Sequence, residues 1–189
     1  MFMIRKNVIW ESLDNIGQES LLIIEEDDNI IVESVVLGIS KELPYRIWYS
    51  ITCDKKWTVR EVAIKSIEMN CKEIKLISDG NGNWSIDNRV AENLEGCVDI
   101  DISVTPFTNT IPIRRLNLEK GELHKINAIY IDAISFMTKP VTQCYTYLSE
   151  KNNVHKYLYE NLSSGFTSEI YVDDSGVVIE YPELYKRIF

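Results

Sequence analysis

Four cysteines occur in 189 residues, and Cys53, Cys71, Cys97 and Cys144 stand far apart. No two have the short spacing of a zinc site, and the pattern is not that of a disulfide framework. Reduced thiols in the cytoplasm are the expectation. Histidine is scarcer: His124 and His155 are the only two, and neither lies in a motif with a serine or cysteine nucleophile. No catalytic residue, metal site or cofactor is therefore expected. Proline and serine form no rich stretch, so no linker or domain boundary is marked, and residues 1–189 are expected to be a single domain. Apolar runs are short. Ile30–Val32 and Val35–Ile39 are strand-sized, far below the roughly 18 residues of a membrane-spanning segment. No integral membrane association is expected. Met1–Asn7 lacks the charged, apolar and small-residue order of a secretory signal. Basic residues are outnumbered, 20 Lys and Arg against 29 Asp and Glu, for a net charge of -9. Such a surface repels nucleic acid and anionic lipid headgroups, so neither is an expected partner.

Long amphipathic helices are also missing. Strand patterns fill the chain instead. Leu21–Ile24, an acidic turn and Ile30–Val32 form a hairpin signal. In Tyr45–Cys53, Tyr45, Ile47, Tyr49, Ile51 and Cys53 share one face by two-residue alternation. Trp57–Ile67, Ile74–Ile77, Ile126–Ile134, Val141–Leu148 and Val154–Tyr159 read as strands. Thr167–Val172 and Val177–Tyr181 flank the turn Asp173–Gly176. Two short helical turns are expected, at Thr110–Leu116 and at Pro182–Phe189. Strands joined by short turns imply antiparallel pairing. A dozen or so strands must curl or split, since open sheets rarely exceed about ten. The expected fold is all-β: an antiparallel β-roll or half-barrel with one or two short helices, and an interior able to hold an apolar ligand.

The densest chemistry lies in Asp99–Leu116. Asp99, Asp101, Ser103 and Thr105 alternate with Ile100, Ile102 and Val104. Two carboxylates about 7 Å apart on one face repel by roughly 2.4 kcal/mol at an effective dielectric of about 20. Burial of that face requires a proton or a cation, and Arg114, Arg115 and Arg60 are the candidates for bidentate pairing. Such a cluster either anchors the Thr105–Arg115 segment or grips a polar headgroup, with Thr108 and Asn109 adding hydrogen bonds. A metal-binding Asp-x-Asp site of the nucleotide-sugar transferase kind needs a strand–helix alternation that is absent. Neighbouring acids on one strand point in parallel, which is poor geometry for flanking a glycosidic bond. Aromatic residues on strands, Trp84 and Tyr145 among them, pack in a core or line a ligand site.

Several runs carry a family resemblance. They are Trp57–Arg60, Asp79–Trp84, Gly96–Asp101, Thr105–Leu116, Gln143–Tyr145, Tyr157–Tyr159 and Asp173–Val178, with Tyr181–Pro182 and Arg187. From about Arg46 onward the chain resembles the bacterial putative glycolipid-binding family, first classed as a domain of unknown function. The resemblance implies a rolled β domain akin to the half-barrels of periplasmic lipoprotein carriers. It implies an amphiphilic, glycolipid-like ligand, and it brings Gln143 and Tyr145 into the candidate site. A non-enzymatic binding protein is the favoured reading. The alternatives are a hydrolase or isomerase acting on a small amphiphile, and an interaction protein with a filled core. The sequence leaves the oligomeric state open.

Overall fold

The computed structural model describes residues 4–68 and 71–189; Met1–Met3 of the N-terminal run and residues 69–70 lie outside the described residues. Its strands are β1 (Ile4–Ser12), β2 (Gly17–Glu25), β3 (Asn29–Ser40), β4 (Leu43–Asp54), β5 (Val59–Ser66), β6 (Glu73–Ser78), β7 (Trp84–Ile86) and β8 (Arg89–Val90). The chain continues with β9 (Asp99–Ile102), β10 (Leu123–Ile131), β11 (Thr138–Lys151), β12 (Val154–Asn161), β13 (Phe166–Asp173), β14 (Val178–Tyr181) and β15 (Tyr185–Arg187). All belong to one 15-stranded sheet that is not closed. Two antiparallel meanders, β1–β8 and β10–β15, meet where β1 pairs with β15 at Trp10 and Arg187.

Alternation decides which side of each strand is buried. Val8 and Trp10 on β1, Leu21 and Ile23 on β2, and Ile47, Tyr49, Ile51 and Cys53 on β4 all turn into the core. Cross-strand register keeps these side chains in rows, with Trp10 opposite Glu19, Glu19 opposite Val36 and Val36 opposite Ile47. Gly38 faces Tyr45 across β3 and β4. A Cβ there would lie 2.4 Å from the Tyr45 hydroxyl oxygen, so only glycine leaves room for the ring to lie across the strand.

Among the described residues, the one parallel pair is β9 with β10. Parallel neighbours need a long crossover, and residues 103–122 supply it. The expected alternation through Thr105 stops at Ile102. The Thr105 hydroxyl accepts from the Phe107 amide at 3.0 Å, turning the chain into a 3₁₀ turn at Phe107–Asn109. Helix α1 (Thr110–Leu116) follows, as expected, and ends at Asn117, whose φ of 46° is left-handed. Residues 104–113 are all buried. This segment touches both meanders, because Thr105 meets Tyr49 of β4 and Asn109 meets Tyr145 of β11. It is a plug inside the roll.

Two further expectations need correction. Pro182–Phe189 is not helical: Tyr185–Arg187 is β15, whose backbone groups pair with β1 and β14. Trp57 and Thr58 follow the Lys55–Lys56 turn as irregular chain rather than starting β5. There Asp54 Oδ1 accepts from the Lys56 and Thr58 amides, and Trp57 takes a φ of 62°.

Strand direction sorts the turns into two ends. Those after β1, β3, β5, β10, β12 and β14 lie at one end. Those after β2, β4, β6, β11 and β13 lie at the other.

Candidate functional site

The plug is fastened by polar pairs. Arg115 grips Asp99 with both prongs of its guanidinium, Nη2 to Oδ2 at 2.5 Å and Nε to Oδ1 at 3.1 Å. The Asp99 side chain is 1% exposed. Burial nevertheless pushes its pKa above the usual carboxylate value, with Arg115 pulling the other way. Asp101 accepts from Gln143 Nε2 at 2.6 Å, and burial lifts its pKa to about 6 against that bond. The Tyr145 hydroxyl donates to Asn109 Oδ1 at 2.8 Å, while Asn109 Nδ2 holds the Pro106 carbonyl. Asp99, Asp101, Asn109, Arg115, Gln143 and Tyr145 therefore converge, tying the plug to β9 and β11.

The other expected site residues stand apart from this group. Arg60 pairs with Asp54 at 2.7 Å and donates to the Asp79 carbonyl, bracing two turns rather than Asp99 or Asp101. Trp84 is buried and donates from Nε1 to the Cys97 carbonyl at 2.7 Å. Thr108 is buried within the plug. The Arg114 guanidinium stacks over Trp57, 5.3 Å from the ring centre. It lines a concavity of about 390 Å³ at the end bearing the Asp173–Gly176 turn. In that hollow the Tyr147 hydroxyl lies 2.9 Å from His155 Nδ1, and His155 Nε2 lies 3.1 Å from Asp174.

The larger cavity is at the opposite end and measures about 800 Å³. None of the ten residues singled out from the sequence lines it. Its wall carries Tyr45, Ile47, Val104, Tyr130, Phe136 and Tyr185, and its rim carries Asp14, Lys41, Glu68, Lys72 and Asp132. This combination of apolar body and polar edge suits an amphiphile.

Beside it, sharing Tyr45, Val104 and Tyr185, is a void of about 20 Å³ lined by Glu19. That volume admits about one water-sized atom. Glu19 Oε1 accepts from the Tyr49 hydroxyl at 2.5 Å and from Ser34 at 2.7 Å, and Tyr49 also lies 3.1 Å from Thr105. Glu19 Oε2 is buried with no partner among the described residues. Burial raises the Glu19 pKa to about 7, opposed by the bonds from Tyr49, Thr105 and Ser34. The same burial, with the Glu19 charge beside it, drives the Tyr49 hydroxyl well above its ordinary value. Sequence reasoning missed Glu19. Its signal was present: extending the alternation of Leu21 and Ile23 back by two residues puts a carboxylate on an apolar face. Among the described residues no group of three or more His, Cys, Asp or Glu is placed to hold a metal, and no helix is long and apolar enough to cross a membrane.

A family model described as putative glycolipid-binding matches residues 7–187. The crystal structure of a DUF1089 family protein from Pseudomonas aeruginosa is similar, with a TM-score of 0.77 and 36% identity. The match covers 90% of this chain and 92% of that one. No curated protein matches.

Proposed function

The chain belongs to the putative glycolipid-binding family, and from that premise we propose that residues 1–189 act as one unit that binds a small amphiphile without transforming it. The observation that carries this reading is the cavity of about 800 Å³ at one end of the roll, aromatic and aliphatic within and charged at its rim. The apolar part of the ligand lies against Ile47, Val104 and Phe136. Its polar head meets the rim or reaches Glu19 Oε2. A hydroxyl suits that oxygen in either protonation state, since it donates to a carboxylate and accepts from a carboxylic acid. The pairs Asp99–Arg115 and Asn109–Tyr145 hold the plug that floors the cavity, Asp101–Gln143 ties β9 to β11 beside it, and Arg60 and Trp84 brace the far turns. Free thiols at Cys53, Cys71, Cys97 and Cys144 support a reducing compartment, the cytoplasm.

Native mass spectrometry of protein purified from its own host, with organic extraction of the same sample, tests the reading. A stoichiometric adduct recovered as an amphiphile is expected. A bare protein mass together with an empty extract overturns it. A second reading, an enzyme on an amphiphilic substrate, is favoured by one feature: two titratable groups, Glu19 and Tyr49, lie 2.5 Å apart beside the cavity.

A further inference from the structure

The two ends of the roll differ in chemistry. At the end away from the large cavity the turns read Glu26-Asp27-Asp28, Lys55-Lys56, Asp79-Gly80-Asn81-Gly82-Asn83, Asn152-Asn153 and Asp174-Ser175-Gly176. Among the described residues, no exposed large apolar side chain stands in any of these turns, and Ile4 and Leu123, which are exposed at that end, each open a strand. At the cavity end the pattern reverses. The β1–β2 turn exposes Leu13 and Ile16, Leu43 follows the β3–β4 turn, and Ile67 follows β5. The β10–β11 turn exposes Ile134 and Met137, and the β12–β13 turn exposes Leu162. Ile16, Leu43 and Met137 are 72%, 71% and 71% exposed, so intramolecular packing does not account for them. Leu43 and Ile134 also line the cavity, which makes its wall continuous with this apolar fringe.

We infer that the cavity end is a peripheral docking face for the surface of a neutral or zwitterionic lipid bilayer. Apolar tips carried on separate turns around an opening insert between headgroups and leave the opening facing the lipid. The charge at the rim selects the kind of bilayer. Asp14, Glu42, Glu68 and Asp132 outnumber Lys41 and Lys72 there, and the chain as a whole carries -9. An anionic membrane therefore repels this face. The purpose of docking, though not the docking itself, rests on the cavity being the amphiphile site, because a docked mouth is the route by which a bilayer amphiphile enters.

Co-sedimentation with phosphatidylcholine vesicles tests it, comparing the native chain with a Leu13→Asp, Met137→Asp, Leu162→Asp variant, whose three positions are exposed and do not line the cavity. All three positions are on the surface, and unchanged circular dichroism and melting temperature verify folding. The native chain is expected to partition onto phosphatidylcholine and to lose partition when phosphatidylserine is mixed in. The variant is expected to lose about tenfold or more in partition while still binding a monomeric short-chain alkyl glycoside in solution. Equal partition of native and variant chains overturns the inference. So does concentration-dependent dimerisation that the variant abolishes, without any vesicle binding, since the tips then serve a second copy. Failure of both proteins to bind the glycoside, with vesicle binding intact in the native chain, counts against the cavity reading and leaves the docking face standing.

Discussion

Glu19→Gln separates the electrostatic cost of the buried acid from its packing. The side chain is buried, and its pKa rises from 4.5 to about 7 on folding. Between those values the native state holds a proton that the unfolded chain has released. Raising pH through that window therefore favours unfolding. The shift is about 2.5 units, and at about 1.4 kcal/mol per unit the native chain loses roughly 3 kcal/mol between pH 4.5 and pH 7 on account of this group. Glutamine keeps the shape and keeps an oxygen to accept from Tyr49 and Ser34, and it does not titrate. Asp101, raised from 3.8 to about 6, contributes with the same sign in both proteins and cancels in their difference. Urea unfolding at intervals from pH 4.5 to pH 8 is the assay. The stability difference between the two chains should move by roughly 3 kcal/mol in favour of Glu19→Gln as pH rises, flat outside the window. Parallel stability curves would show that Glu19 ionises in the native state as easily as in the unfolded one, and the account of a dry, half-satisfied carboxyl would be wrong.

Arg115→Ala strands Asp99 in the interior and should cost about 3–5 kcal/mol in chemical denaturation, most of it recovered when Asp99→Leu is added. A loss below about 1 kcal/mol would mean that water reaches that carboxylate. Gly38→Ala forces the Tyr45 ring aside, since the new carbon would stand 2.4–2.9 Å from three of its atoms. Amphiphile affinity measured by calorimetry should fall about tenfold, with a stability loss near 1 kcal/mol; unchanged affinity would remove Tyr45 from the binding wall.

Much of the architecture was legible because strand alternation is a local property. Tyr45–Cys53 shows its buried face in the spelling of nine residues, and Thr110–Leu116 shows its helical turn. The Asp99–Arg115 pair was legible for a related reason: a buried strand face with two acids demands a counter-charge, and the sequence offers one close by. Arg60 was equally plausible as that counter-charge on composition, yet it went to Asp54 and Asp79, because the β4–β5 turn sets Asp54 beside it. Pro182–Phe189 misled because proline at a first helical position is a local cue. The competing demand came from β1, whose free edge takes up Tyr185–Arg187.

Neither the cavity nor its acid belongs to any one stretch of chain. Tyr45, Val104, Tyr130 and Tyr185 come from four distant segments, and only the curl of the sheet brings them around one space. The sequence by itself determined an acidic, strand-built chain with a charged pair to be satisfied inside, because composition and two-residue periodicity act over short range. The tertiary structure alone decided that the roll is plugged at its middle, that its larger cavity opens at one end, and that its apolar turns collect there. Those outcomes depend on strand direction and register summed over the whole sheet, which no local pattern encodes.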